Sequence, residues 1–125
     1  MTVNPYANHK NDYLRNQVMS ASPNKLIEML IEGAVKSIRK AGLAIDNRNI
    51  ELANNEIVHA QDIVDELKFS VNTEVEGDIP KQLVATYDLI GNELVQANVH
   101  KDRNHLDIAQ KMLEEVLDAW KQITK

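Results

Sequence analysis

The sequence contains no cysteine, so a disulfide framework, a thiolate nucleophile and a cysteine-based zinc site are all excluded. Aromatic residues make up only 4% of it, with a single Phe and a single Trp. Its core must therefore be built from Leu, Ile, Val, Ala and Met, a mixture that favours helix packing over β-sandwiches. Positive charge is in short supply, 14 Lys and Arg against 19 Asp and Glu, for a formal net charge of -5. Nucleic acid is excluded as a partner on that ground, because phosphate-backbone affinity comes from clustered Lys and Arg. No apolar run approaches the ~18 residues of a membrane-spanning helix, so no membrane insertion is expected. Met1-Thr2-Val3-Asn4-Pro5 lacks the basic and then apolar pattern of a secretory leader, and the expected location is the cytoplasm.

What is present amounts to one domain. A chain of 125 residues with 43% hydrophobic and 26% charged content has enough apolar surface to offset the entropy of ordering it. Residues 1–20 are polar and rich in Asn, with a short apolar pattern at Tyr13, Leu14, Val18 and Met19, and read as a mobile tail or a short helix. Residues 21–125 read as a single helical bundle domain. Ser22-Pro23 supplies an N-cap followed by a proline at a first-turn position, where its missing N–H costs nothing. From there Ile27, Ile31, Ala34, Ile38, Ala41 and Ile45 recur at spacings of four and three and share one helix face.

After Asn47-Arg48-Asn49, a second seam runs Ile50, Ala53, Ile57, Ala60, Val64, Leu67 and Val71. Asn72 to Asp78 breaks the pattern, and Asp78 reads as the cap of a helix that carries Pro80 in its first turn. A third seam follows at Leu83, Tyr87, Ile90, Leu94 and Ala97. Asn98 to Asp102 is read as the next break, and a fourth seam runs Leu106, Ala109, Leu113, Val116, Trp120 and Ile123. Four helices of roughly 20 residues joined by short connections make an all-α fold, an antiparallel up-down four-helix bundle.

Residues that carry chemistry are sparse. Glu56-Ile57-Val58-His59 has the spacing of a bundle metal site, but di-iron bundles need such a pair on two helices and inward carboxylates on the others. No seam position carries Asp or Glu, so no metal is expected. Around His59 and His105 lie Asp62 and Asp107, which would repel a phosphoryl donor. No phosphate-binding glycine loop and no nucleophile elbow is present. Neither an enzyme nor a cofactor is expected.

The remaining feature is apolar surface beyond one seam per helix: Leu26, Met29, Leu30 and Val35 on the first helix, Val58 and Ile63 on the second, and Val84, Leu89 and Val95 on the third. Such a stripe is either a wide core or a groove for a partner helix or an extended peptide. Gly33 and Gly91, inside helices, have the same two readings: close helix crossing, or a shallow place where another chain's backbone approaches.

Tyr13-Leu14-Arg15-Asn16-Gln17-Val18, then Ala21-Ser22-Pro23, then Leu26 to Leu30 leading to Gly33-Ala34, resembles the N-terminal signature of the flagellar secretion chaperones, the FliS family. The likeness continues through Ala60 to Leu67, Tyr87-Asp88, Ala97-Asn98, Asp102 and Asp118-Ala119-Trp120. The resemblance implies a cytoplasmic chaperone that uses no ATP. It would hold the disordered C-terminal segment of flagellin, prevent premature polymerisation and pass it to the flagellar type III export apparatus. Leu26, Met29, Leu30, Val35, Val58 and Ile63 are the expected client groove, and Tyr6, Tyr13, Leu14 and Val18 the expected N-terminal cap over it when empty. The free protein is expected to be a monomer that binds client 1:1. The competing reading is a structural bundle in which the same surface pairs two copies.

Overall fold

The computed structural model describes residues 22–124. The expected N-terminal element over residues 1–20, with Tyr6, Tyr13, Leu14 and Val18, lies outside the described residues. The four helices are α1 (Pro23–Asp46), α2 (Ile50–Phe69), α3 (Ile79–His100) and α4 (Arg103–Ile123), and no strand occurs among the described residues. At 1.5 Å per residue the rods are about 30–36 Å long.

Caps account for most of the boundaries. Ser22 accepts from the Lys25 N–H, Asn49 from that of Leu52 and Asp102 from that of Asn104. Asp78 occupies the N-cap position of α3 but makes no side-chain cap bond, contrary to expectation, because its backbone is already in the right-handed helical region. The break before α4 is also shorter than its polar composition predicts. Asn98 to His100 remain in α3, and the reversal needs only Lys101, at φ 54°, and Asp102. The Lys101 ammonium bonds the carbonyl and the side-chain oxygen of Asn98, both at 2.6 Å, which offsets the cost of the left-handed backbone.

Cross-helix pairs set the directions. Ser37 meets His59 and Gly33 faces Ile63, so numbers rise along α1 as they fall along α2. Arg39 pairs with Glu114 and Asp46 with Arg103, which makes α4 antiparallel to α1. Each helix packs against its two neighbours in the ring α1, α2, α3, α4. The seams form the core: Ile31, Ile38, Ile57, Leu67, Ile90, Leu94, Leu106 and Leu113 are fully buried. Ile50 and Ile123, the outermost positions of two seams, are exposed. No described helix is long and apolar enough to cross a membrane.

Candidate functional site: an apolar trough at the open end of the bundle

The two ends of the bundle are built from different side chains. Where α1 and α3 finish and α2 and α4 begin, buried alanines face inward: Ala41, Ala44, Ala53, Ala97 and Ala109. Small side chains let helices approach closely, so the core is enclosed at this end, while Leu43 and Leu52 line a separate surface pocket of about 210 Å³ between α1 and α2. At the opposite end the inward residues are Ile27, Val71, Leu83, Val116 and Trp120, which pack on the core without being enclosed by it. Among the described residues no further layer covers these bulkier groups.

The result is a trough in two contiguous parts. One, of about 260 Å³, is lined by Ile27, Val71, Val75, Ile79, Leu83 and Trp120. The other, also about 260 Å³, runs between α3 and α4 and is lined by Ile79, Leu83, Thr86, Val116, Ala119, Trp120 and Ile123. Ile79, Leu83 and Trp120 belong to both parts. Its lips are apolar as well: Ile79 is 75% and Ile123 76% exposed, and Phe69 and Val75 stand in water nearby. Monomeric proteins rarely leave contiguous apolar surface of this kind without a use for it.

Trp120 anchors the trough. Its indole N–H donates to the Asn24 carbonyl at 3.0 Å, tying the last turns of α4 to the first turn of α1 and satisfying the ring's one polar atom. Thr86 spends its hydroxyl on the Gln82 carbonyl of its own helix at 2.9 Å. At the inner end Tyr87 is buried, and burial pushes its phenol up to about 12, which extends the neutral form into alkaline pH.

The six residues expected to form the client groove divide three ways. Leu26, Met29, Leu30 and Ile63 are half-buried along the seam between α1 and α2, where Cδ1 of Ile63 lies 3.7 Å from where a Gly33 Cβ would stand. Val35 is core, 5% exposed. It lies seven residues before Gly42, which abuts Arg103 of α4, and so turns toward α4, away from Leu26 and Met29. Placing it in a groove is corrected by that register. Val58 is exposed but lies three residues before Gln61 and seven before Asp65, on the flank of α2 toward α3. Ile63, on the opposite flank, does not share a surface with it.

Of the trough residues, Ile27, Val71, Leu83, Val116, Trp120 and Ile123 were read as core seams in the sequence, because periodicity reports a face and not how many layers cover it. Phe69, Val71, Val75 and Ile79 were the available signal, an apolar series through a connection that is otherwise polar. His59, His100 and His105 make structural contacts. Ser37 Oγ and His59 Nδ1 are 2.7 Å apart across α1 and α2. His105 Nδ1 lies 2.7 Å from Glu93 and its ring stacks on His100 at a centroid distance of 5.9 Å. Among the described residues no group of three or more His, Asp or Glu is placed to hold a metal ion.

The sequence profile described as "Flagellar protein FliS" matches residues 6–125. The chain is 37% identical over 119 residues to the flagellar secretion chaperone FliS of Bacillus subtilis, an alignment that covers 95% of this chain and 85% of that one. It is 33% identical over 112 residues to the FliS chaperone of Salmonella typhimurium, covering 89% and 83%. A solved structure described as a flagellar chaperone from bacteria superposes with a TM-score of 0.76 over 96% of this chain and 98% of that one, at 19% identity, and so shares the fold. With four antiparallel helices, a profile match across almost its full length and a relative 37% identical over 119 residues, this chain belongs to the FliS family of flagellar secretion chaperones.

Proposed function

We propose that the protein binds the disordered C-terminal segment of flagellin in the cytoplasm, 1:1 and as a monomer, masks its polymerisation surface and releases it to the flagellar export apparatus. The observation that carries this reading is the trough around Ile79, Leu83 and Trp120, a concave apolar surface with its lips in water. An amphipathic helix or a short apolar stretch that folds on contact would bury its non-polar face there. A client that orders on binding spends about 2–5 kcal/mol of the gross interaction doing so, which leaves a complex that protects and can still be taken apart. Release then needs only competition for the client, and no nucleotide.

Titration calorimetry of the full chain with a peptide of the flagellin C-terminal segment tests the reading. A 1:1 isotherm with a negative heat-capacity change is expected, since apolar burial gives that sign. Absence of binding, together with a stable dimer in sedimentation, would mean that the trough pairs two copies of the chain.

A further inference from the structure

At the end of the bundle away from the trough, the buried alanines Ala41, Ala44 and Ala53 already close the core, and two leucines are left on its outside. Leu43 is 62% and Leu52 43% exposed. Both line the pocket of about 210 Å³ between α1 and α2, with Lys40 on the α1 side and Glu56 on the α2 side. Single exposed aliphatic residues are ordinary, but two that share one concavity leave apolar surface for a partner to cover. Leu43 lies sixteen residues after Ile27 on α1, about 24 Å along the axis at 1.5 Å per residue. The pocket therefore stays open whether or not the trough is filled.

Charge selects the occupant. Lys36, four residues before Lys40, stands one turn along the same face of α1, and both are exposed. Among the described residues neither forms an ion pair, whereas Lys25, Arg39, Lys68, Arg103 and Lys121 each meet a carboxylate. The acids nearest on α1 are engaged elsewhere, Glu32 by Lys121 and Asp46 by Arg103. On α2, Glu51 lies seven residues before Val58 and shares its flank toward α3, which leaves Glu56 to face the two ammonium groups. The pocket thus carries excess positive charge in a chain whose net charge is -5. Two lysines are too few to hold a nucleic acid or an anionic membrane, and a concave apolar floor suits neither. We propose that the pocket is a second docking surface for an acidic peptide segment of a protein other than the client. One bulky aliphatic or aromatic side chain of that segment fills the space between Leu43 and Leu52, and a carboxylate beside it meets Lys40 or Lys36. The partner recognises the chaperone with its client still in place and does not compete for the trough.

Amide NMR titration of the full chain tests this, with short synthetic peptides that carry leucine, phenylalanine or tryptophan between paired glutamates, and counterparts with lysine in place of glutamate. The acidic set is expected to shift the amides of Lys40, Leu43, Asn47 and Leu52 and to bind more weakly as salt rises, with the basic set about fivefold weaker. Lys40→Glu is expected to weaken the acidic set about fivefold and to bind the basic set better than wild type does. A lysine of merely structural role would not exchange the preference. Leu43→Gln is expected to lose about tenfold in peptide affinity, with its melting midpoint within about 2 °C of wild type, because the side chain is already largely in water. Both variants are expected to bind the flagellin C-terminal peptide as wild type does. Acidic peptides that shift no amide at millimolar concentration, or that shift those around Trp120 instead, would overturn the proposal. So would a loss of flagellin-peptide affinity in Leu43→Gln, which would give the pocket to the client, or a wild-type dimer that this variant dissociates, which would give it to a second copy.

Discussion

Replacing Ile79 and Ile123 by Gln separates a client surface from a structural one. Each side chain is about three-quarters in water in the free protein. Complete burial of an Ile side chain is favourable by about 1.5–3 kcal/mol, so covering the exposed part of each against a client contributes about 1–2 kcal/mol. At 1.4 kcal/mol per decade, each substitution should weaken client binding about tenfold. The double variant should lose about 100-fold if the two sites act independently, and a departure from that product measures their coupling within one trough. Because neither residue is enclosed by the fold, each change should alter stability by no more than about 0.5 kcal/mol and leave the melting midpoint within about 2 °C of wild type. Calorimetry with the flagellin C-terminal peptide and a thermal melt read the two quantities, and the heat-capacity change should become less negative. Unchanged affinity in the double variant, or a midpoint several degrees lower, would refute the reasoning.

Four further outcomes are expected. Leu113→Ala, in the middle of the core and fully buried, should cost about 2–5 kcal/mol in denaturant unfolding. Arg48→Gly should raise stability by about 0.5–1 kcal/mol, since Arg48 holds φ 58° between α1 and α2, where glycine is unstrained. In Tyr87 the folded phenol is raised above its unfolded value of 10.0 to about 12. Stability from keeping it neutral is therefore fully present below pH 10 and lost as pH rises toward 12, and Tyr87→Phe should remove that alkaline step in pH-dependent unfolding. Arg39→Ala, which breaks an exposed pair with Glu114 at 3.0 Å, should cost less than about 1 kcal/mol, and the difference should vanish in high salt.

The fold was legible because it rests on local rules. Spacings of three and four placed Ile31, Ile57, Leu94 and Leu113 inward on four helices, and Ser22 marked a start that its side chain caps, while Asn49 and Asp102, read only as parts of breaks, cap the helices that follow them. The ends of α3 were less so. Asp78 is a good cap by type but sits in helical backbone, and Asn98 to His100 are poor helix formers that tertiary packing keeps helical, with Ala97 beneath them fully buried.

By itself the sequence determined the class of fold, the number and order of helices, the face each turns inward and the family, since all of these follow from hydrophobic period, punctuation and the order of short motifs along the chain. Only the tertiary structure decided which apolar residues remain uncovered. Val35 was read outside the seam of its helix and Ile123 within one, yet the first is enclosed against α4 and the second stands in water at the end of the bundle. Coverage depends on how many layers lie above a residue and how closely neighbouring helices approach. Those are properties of four helices taken together: alanines draw one end shut, while Ile27, Leu83 and Trp120 hold the other open.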